Sequence, residues 1–506
     1  VDYRKGTLPM NALETLKQRY AEVVDINMAI ALLHWDQEVY MPPKGADARG
    51  KQLSTLSALS HRLFTDAEIG ALLTQLEAAP LSGDDALTVS ETRRDYDLAT
   101  KLPEAFVADM AEHQSKAYQA WTAARAAARF ADFQPSLEKM VDLLRRKADY
   151  LGYEDTPYDA LLDEYERGLS TAFLRDLFGG LAAKQSAILQ RIAASGAQRS
   201  FPWLDQEWDE SAQNEITLRV LKDIGFDFDA GRQDKSVHPF TTNFDLHDVR
   251  VTTRFSPREL FSALTGSIHE GGHALYEQGF LESDRRSVLG QAISLGIHES
   301  QSRMWENMIG RSLPFWQHYT PLLREHHGVK LDGVSPEDIY RAINLVAPSF
   351  IRVEADECSY NLHIILRFEI ETALIEGRLA VKDVPEAWNA RFKELLGLDV
   401  PSDAMGCLQD IHWSHGSMGY FPTYALGNLY AAQLLEKIAQ DLPTLWQDVG
   451  QGQFAALLEW LRAKVHRVGR RKTATQLLTE VTGAKPSPEA FLRYLEKKYL
   501  PLYGIA

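Results

Sequence analysis

Five consecutive residues at 269–273, His-Glu-Gly-Gly-His, have the types and spacing that metal-assisted hydrolysis requires. On a helix, His269 and His273 lie about one turn apart on the same face, so both imidazoles can bind one metal ion. Glu270 between them can act as a general base towards water. The segment matches the H-E-x-x-H pattern of zinc peptidases, although so short a pattern also arises by chance. It predicts a helix that carries a zinc site.

A catalytic zinc ion takes three protein ligands and keeps a fourth position open, so a third donor must come from another element. Glu277 is too far along the same helix, roughly 12 Å from His269. The polar first turn and later apolar residues of 296–307 predict a second helix that can cross the first. Glu299 on that helix is the first choice for the third ligand. Three residues remain open as alternatives: His298, Asp284 and Glu306.

Six short segments of the sequence together resemble one known family. They are 238–240 (His-Pro-Phe), 248–252 (Asp-Val-Arg-Val-Thr), 269–273, 298–301 (His-Glu-Ser-Gln), 351–356 (Ile-Arg-Val-Glu-Ala-Asp) and 406–413 (Gly-Cys-Leu-Gln-Asp-Ile-His-Trp). In their order and spread, the chain resembles the thermostable carboxypeptidase family of zinc exopeptidases. The resemblance implies that His269, His273 and Glu299 bind the metal. It also implies a homodimer and tolerance of several C-terminal side chains, and it leaves cobalt open as a substitute for zinc.

The chemistry of such a site also requires a proton carrier and a donor for the oxyanion. Glu270 is expected to take a proton from water and to return it to the leaving amine. A tetrahedral intermediate carries an oxyanion that needs a donor in addition to the metal. Tyr420 and His412 are the predicted donors, although each is equally well explained as a packed aromatic or a satisfied polar residue.

A carboxypeptidase must also recognise a free terminal carboxylate, and a planar guanidinium can do so with two parallel hydrogen bonds. Arg352 is the first choice and Arg250 the second. Asp356, four residues after Arg352 on a predicted helix, is expected to hold that arginine in place, and Asp248 is expected to orient Arg250. The competing explanation is a structural ion pair with no ligand. Two further residues are predicted to line the groove: His238 and Gln409.

Composition excludes several other partners. The net charge of −16 and a pI near 5.5 argue against nucleic acid and against anionic membranes, so peptides with a free C-terminus are the expected partners. Cys358 and Cys407 are the only two cysteines, which favours a reducing cytoplasm over a disulfide framework. The sequence has no apolar run long enough for a membrane span, and its first nine residues lack a basic-then-apolar leader.

Helical patterns with short breaks fill the first 230 residues, and little there is typical of a strand. The predicted helices are 11–40, 51–79, 87–102 and 103–150. β-Branched and aromatic residues in 237–255 predict a hairpin or small sheet just before the metal helix. Ser256 as a cap and Pro257 at the first helical position are expected to begin that helix.

We therefore predict a mainly α fold, with a large helical body, a deep substrate groove and a small β-sheet beside the zinc site. Residues 1–230 are expected to form a helical groove wall or lid, and residues 231–506 the catalytic zinc-binding region. This division is one of role, because neither a repeat nor a low-complexity linker marks a hinge near residue 230.

Three classes of function are consistent with these residues. The first is a zinc carboxypeptidase of broad specificity that removes single residues from peptide C-termini. The second is an endo-acting zinc oligopeptidase on a similar helical scaffold, which would not need an arginine for a terminal carboxylate. The third is a non-catalytic helical binding protein, which the intact Glu270 argues against. The six segments and the two arginines favour the first class.

Overall fold

The computed structural model describes residues 12–197 and 199–505 of the 506-residue chain. The expectation that the first nine residues lack a leader concerns a segment outside these ranges. The described chain is mainly α-helical with one small sheet, which confirms the predicted fold class. Within this part of the chain, no helix combines the length and the apolar character needed to cross a membrane.

The helices before the sheet follow the predicted pattern, with two additional breaks. They are α1 (Ala12–Val39), α2 (Ala46–Phe64), α3 (Ala67–Glu77), α4 (Gly83–Lys101), α5 (Glu104–Ala126), α6 (Gln134–Leu151), α7 (Pro157–Leu162), α8 (Thr171–Ala194) and α9 (Glu210–Asp223). The predicted helix 51–79 is two helices, because Asp66 begins α3 by accepting a hydrogen bond from the backbone N–H of Glu68. The predicted helix 103–150 is also two helices, separated at Ala128, whose φ of 49° is left-handed.

A small sheet follows these helices. It consists of β1 (Gly231–Lys235), β2 (Thr241–Asp245) and β3 (Asp248–Thr253), in the order β1-β3-β2. Strands β2 and β3 form the predicted antiparallel hairpin, with Thr241 opposite Val251. Strand β1 runs parallel to β3 and was not predicted, because its sequence is polar and lacks the β-branched residues typical of strands.

The remaining helices form the rest of the body. They are α10 (Ser262–Glu277), α11 (Leu295–Arg303), α12 (Leu313–His327), α13 (Pro336–Ile343), α14 (Tyr360–Ile375), α15 (Val384–Leu396), α16 (Pro422–Asp441), α17 (Leu445–Gly450), α18 (Ala455–Lys464), α19 (Ala474–Thr482) and α20 (Glu489–Leu502). The prediction that Ser256 and Pro257 begin the metal helix is wrong, since that helix, α10, begins at Ser262. The Pro257 carbonyl instead accepts a hydrogen bond from the backbone N–H of Trp208 at 2.7 Å.

The described residues form three buried apolar clusters, of which the smallest joins Tyr20 of α1 to Val288 and Leu289. A small core joins α1, α3 and α4 through residues such as Leu16 and Leu73. The main core runs from Ala117 to Tyr503 and contains both α10 and α11. It therefore crosses residue 230, and the division of roles at that position stays a prediction.

Candidate active site

Helices α10 and α11 cross at Gly272, and this crossing brings the predicted metal residues together. A Cβ atom at Gly272 would lie 2.7 Å from both Gln301 O and Ser302 Cα, so a larger residue would force the two backbones apart. On the other side of α11, helix α16 comes equally close, because a Cβ at Gly427 would lie 2.5 Å from Cγ of Glu299. Two glycines thus allow Glu299 to be held between α10 and α16.

The side chains of His269, His273 and Glu299 converge on one point. The Nε2 atoms of the two histidines lie 3.6 and 3.4 Å from Oε2 of Glu299. One ligand atom from each residue lies within 4.8 Å of the others. Two imidazoles and one carboxylate are a donor set that catalytic zinc sites use, so these residues fit a divalent metal of that kind.

A second carboxylate lies behind the ring of His269. Helix α11 continues as a π-helix, Met304–Ile309, and Glu306 in this segment accepts a hydrogen bond from Nδ1 of His269 at 2.9 Å. Arg311 donates to the other Glu306 oxygen at 2.6 Å. Burial opposes ionisation of Glu306, but the charge of Arg311 and the bond from His269 outweigh it and hold its pKa well below the usual range. Such a partner fixes the orientation of a metal-binding imidazole.

The ring of His273 is supported in a similar way by His298. Their Nδ1 atoms lie 2.5 Å apart, and Nε2 of His298 lies 2.7 Å from Oε1 of Glu277. Asn243 of β2 donates to the other Glu277 oxygen at 2.6 Å. His298 and Glu306, two of the alternative third ligands, therefore lie on the Nδ1 sides of the histidines, away from Glu299. The third alternative, Asp284, pairs with Arg471 at 2.6 Å.

Glu299 itself is fixed by a charged neighbour. Arg303 donates from Nε to Oε1 of Glu299 at 2.6 Å, and Ser302 donates to Oε2 at 3.0 Å. Burial alone would raise the pKa of Glu299, but the charges of Arg303 and His269 outweigh it and lower that pKa well below its usual value. Glu299 is therefore an anion, the form in which a carboxylate binds a metal.

Glu270 lies on α10 between the two histidines and contacts the sheet. Its Oε2 accepts a hydrogen bond from the Thr241 hydroxyl at 2.7 Å, and the same hydroxyl lies 2.9 Å from the Glu270 carbonyl. The side chain is buried, and burial raises its pKa while the charge of His269 and the bond from Thr241 oppose the rise. A carboxylate with a raised pKa is a stronger proton acceptor, as a general base requires.

Arg352 lies in a buried aromatic and charged cluster. Asp410 accepts hydrogen bonds from Nε of Arg352 at 3.0 Å and from Nε of the fully buried Arg367 at 2.7 Å. Nη1 of Arg352 donates to the Tyr360 hydroxyl at 3.2 Å. The prediction that Asp356 holds Arg352 is wrong. Residues 352–354 form one turn of 3₁₀-helix, and Asp356 instead accepts bonds from the backbone N–H groups of the following turn.

Tyr360 connects this cluster to the metal residues. The guanidinium of Arg303, which pairs with Glu299, lies 4.6 Å from the centre of the Tyr360 ring. The hydroxyl of the same tyrosine accepts the bond from Arg352. Arg352 is therefore separated from Glu299 by two side chains. This spacing places a cation close to the candidate metal site without direct contact.

His412 and Tyr420 belong to the same cluster. The His412 ring lies 4.4 Å from the Phe421 ring and 5.5 Å from the Tyr420 ring. Burial lowers the pKa of His412 to about 4, so its imidazole is neutral near pH 7. Burial, together with the nearby negative charge of Glu299, raises the pKa of Tyr420. Both side chains thus keep a neutral N–H or O–H group, and the Tyr420 hydroxyl is the one that lies near Glu299.

Arg250 lies on the sheet, on the face opposite α10. Side chains alternate along a strand, and Thr241, opposite Val251, points to α10, so Arg250 points away from it. There it pairs with Asp248 through two hydrogen bonds of 2.8 and 2.9 Å and lies 4.4 Å from the ring of Trp35 on α1. Its contacts join α1 to the sheet.

The two predicted groove residues have different surroundings. The imidazole of His238 is exposed, in the β1–β2 connection, where the next residue, Pro239, lies near Gly266 of α10. The amide of Gln409 is buried and hydrogen-bonded to backbone groups on both sides. It accepts from the N–H of Arg352 at 2.9 Å, and its NH₂ group donates to three carbonyls at 3.1 Å: Phe350, Met405 and Gly406. Gln409 therefore fixes the backbone next to Arg352.

Sequence reasoning did not find the supporting roles of Thr241, Glu306 and Asp410. Glu306 was considered only as a ligand, although its position seven residues after Glu299 places both on one side of a helix. Thr241 carries no local signal of its contact with Glu270, since the two are 29 positions apart. The pairing of Asp410 with two arginines also has no local signal, because it depends on tertiary structure.

Comparison with known proteins gives this geometry a context. The model of the carboxypeptidase Taq (M32) metallopeptidase family matches residues 15–499. Thermostable carboxypeptidase 1 of Thermus thermophilus is 40% identical over 98% of this chain and 100% of its own length. Carboxypeptidase 1 of Bacillus subtilis is 39% identical over 94% of this chain and 95% of its own. The crystal structure of the M32 carboxypeptidase from Deinococcus radiodurans superposes with a TM-score of 0.95 at 39% identity, covering 98% of this chain and 100% of that one.

Fold and site together thus define a metallopeptidase. The chain belongs to the carboxypeptidase Taq (M32) metallopeptidase family, which confirms the resemblance seen in its six segments. It is a metallocarboxypeptidase, a hydrolase that acts on the peptide bonds of peptide substrates and uses a divalent metal. The endo-acting alternative is not favoured.

Proposed function

We propose that the protein is a zinc-dependent carboxypeptidase that removes residues singly from the C-terminus of peptides, with broad specificity. His269, His273 and Glu299 would hold the zinc ion. The observation that carries this proposal is the convergence of their ligand atoms within 4.8 Å, beside the buried Glu270. When bound, zinc supplies Lewis acidity that lowers the pKa of water and polarises a peptide carbonyl.

Glu270 is the proposed general base. The hydrogen bond from Thr241 fixes Oε2 and leaves Oε1 to accept a proton from the attacking water. The same carboxyl group then returns the proton to the leaving amine. Tyr420 and His412 are the proposed donors to the oxyanion, because each is neutral near pH 7 and lies in the cluster beside Glu299.

Arg352 is the proposed binder of the terminal carboxylate, and its position near Glu299 supports this role better than the position of Arg250 does. Asp410 uses Nε and Nη2 of Arg352, so the guanidinium is fixed in direction while further N–H donors stay available. Gln409 would act by holding the Arg352 backbone, and His238 would lie at the rim of the groove. A free carboxylate occurs only at a chain end, which explains exopeptidase action.

Three further features belong to this proposal. Residues 1–230 would form a wall or lid of the groove. A cytoplasmic location is supported by Cys358 and Cys407, which are both buried free thiols. A homodimer rests on family resemblance, and light scattering of the purified protein would test it.

Substitutions at the candidate site test the division of labour. Glu270→Gln keeps the shape but removes the base, so turnover should be nearly lost while zinc stays bound. His269→Ala, His273→Ala and Glu299→Ala should lose the metal as well. Metal analysis of each purified variant, which also distinguishes zinc from cobalt, and peptide digestion followed by mass spectrometry provide the readouts. Wild-type activity in Glu270→Gln would show that Glu270 is not the general base. Full zinc occupancy in Glu299→Ala would show that Glu299 is not a zinc ligand.

A further inference from the structure

Glu166 is a fully buried carboxylate that contacts neither the metal residues nor the Arg352 cluster directly. It lies four residues after the end of α7 and accepts three hydrogen bonds. The donors are the Ser294 hydroxyl at 2.9 Å, the Gly296 N–H at 2.9 Å and the Tyr430 hydroxyl at 3.1 Å. Burying a carboxyl group costs free energy. A buried carboxyl group with three hydrogen-bond partners therefore indicates that the positions of those partners are important.

The first thing it fixes is the beginning of α11. The first N–H groups of a helix have no partner within the helix. Here the Leu295 N–H donates to the Tyr165 carbonyl at 3.2 Å, and the next N–H, that of Gly296, donates to Glu166. A Cβ at Gly296 would lie 2.5 Å from Oε2 of Glu166, so the contact requires a glycine.

The same carboxylate also connects α11 to α16. Tyr430 lies one turn after Gly427 on α16, and Glu299 lies one turn after Gly296 on α11. The Glu166 bonds and the contact between Glu299 and Gly427 therefore join the two helices at levels about one turn apart. Two joints at different levels prevent both sliding and rotation of α11.

We propose that Glu166 is a positioning residue for Glu299, which fixes α11 in the register that metal binding requires. Metal–ligand distances fall within about 0.2 Å of standard values, so a small shift of α11 would weaken binding without unfolding the protein. The inference rests on the proposed metal ligands and assigns part of their affinity to a residue outside the family segments described above.

The test is the zinc dissociation constant of the full-length protein, measured by competition with a chromophoric chelator. Glu166→Ala should weaken zinc binding about 10- to 100-fold, the range seen when partners of metal ligands are removed. Glu166→Gln should bind zinc nearly as tightly as the wild type, because its oxygen can accept from Gly296 while its NH₂ group donates to the two hydroxyls. Tyr430→Phe, which removes a single hydroxyl, should weaken binding in the same direction and provides the test if Glu166→Ala does not fold.

Glu371→Ala is the matched control. Glu371 is also fully buried and also accepts three hydrogen bonds, from Tyr158, Trp413 and the Gly419 N–H, but none comes from α11. Its loss should lower thermal stability comparably and leave zinc affinity unchanged. Equal weakening in both variants, or wild-type affinity in folded Glu166→Ala and in Tyr430→Phe, would overturn the positioning role. Wild-type zinc affinity in Glu299→Ala would instead overturn the proposed ligands and this inference together.

Discussion

Arg352 and Arg250 make the same kinds of contact in different surroundings. Each pairs with an aspartate, Asp410 or Asp248, and each lies over aromatic rings. Arg352 is buried beside the residues that surround Glu299, whereas Arg250 lies on the sheet face that meets α1. If Arg352 binds the substrate as proposed, the same pairing serves a substrate in one place and the attachment of a helix in the other.

The difference arises from strand geometry and from burial. On β3, Val249 and Val251 are fully buried on the α10 side, and the alternation of side chains directs Arg250 to the other face. Arg352 follows an irregular segment that the buried amide of Gln409 holds in place. The surroundings of each arginine are therefore determined by the secondary-structure element that carries it. The neighbouring residues in the sequence do not determine them.

Among the effects that test the contrast between the two arginines, the largest is expected for Arg352→Ala on peptides with a free C-terminus. Loss of the guanidinium should remove on the order of 2 to 4 kcal/mol of transition-state binding, or roughly thirty- to a thousandfold in kcat/KM. The wild type should hardly cleave the same peptide with an amidated C-terminus. In Arg352→Ala, the difference in kcat/KM between the free and the amidated peptide should be smaller than in the wild type. Mass spectrometry of timed digests measures both.

Arg352→Lys is the control for geometry and should restore only part of the activity, since a point charge lacks the planar fork. Internal cleavage of the amidated peptide at a rate comparable to that of the free peptide would contradict the assignment. The endo-acting alternative would then describe the protein better.

The second prediction concerns the pH dependence of stability near Arg352. There, Glu371 accepts a hydrogen bond from Trp413, the residue next to His412. Burial raises the pKa of Glu371 from the ordinary glutamate value of 4.5 to about 7. Between these values the folded state holds a proton that the unfolded chain has released, so stability falls as the pH rises. Glu371→Gln cannot ionise. Between about pH 5 and pH 7, its free energy of unfolding should therefore decrease by about 2 kcal/mol less than that of the wild type. Thermal unfolding across this range measures it, and a constant difference from the wild type would show that Glu371 does not titrate there.

The smallest expected effect is that of Arg250→Ala. Its loss removes an ion pair and a cation–π contact with Trp35, together about 1 kcal/mol of stability, while kcat/KM on a free peptide should change little. A melting curve and the digest used for Arg352→Ala provide the two readouts. A loss of activity as large as that of Arg352→Ala would remove the contrast between the two arginines.

Helical periodicity and family segments predicted most of the fold and brought out His269, Glu270, His273 and Glu299, which the structure places together. The hydrogen-bond partners of the site residues could not be predicted in the same way. Asp410 lies 58 positions from Arg352, and helical spacing indicated Asp356 as the partner instead. The strand β1 was missed because it is polar on both faces. Local patterns thus indicate which residues can react, whereas tertiary pairing decides how they are held.

The π-helix Met304–Ile309 has a consequence for how far this protein can be stabilised. Its wider turns are rare and often occur at functional sites, and all six residues are buried. Deleting one residue would restore a regular α-helix but would rotate the preceding and following parts by about 100° relative to each other, so Glu306 would no longer face His269. The irregular turn is therefore what keeps the Glu306 carboxylate beside His269. A substitution that stabilises the protein against heat must therefore leave this segment irregular.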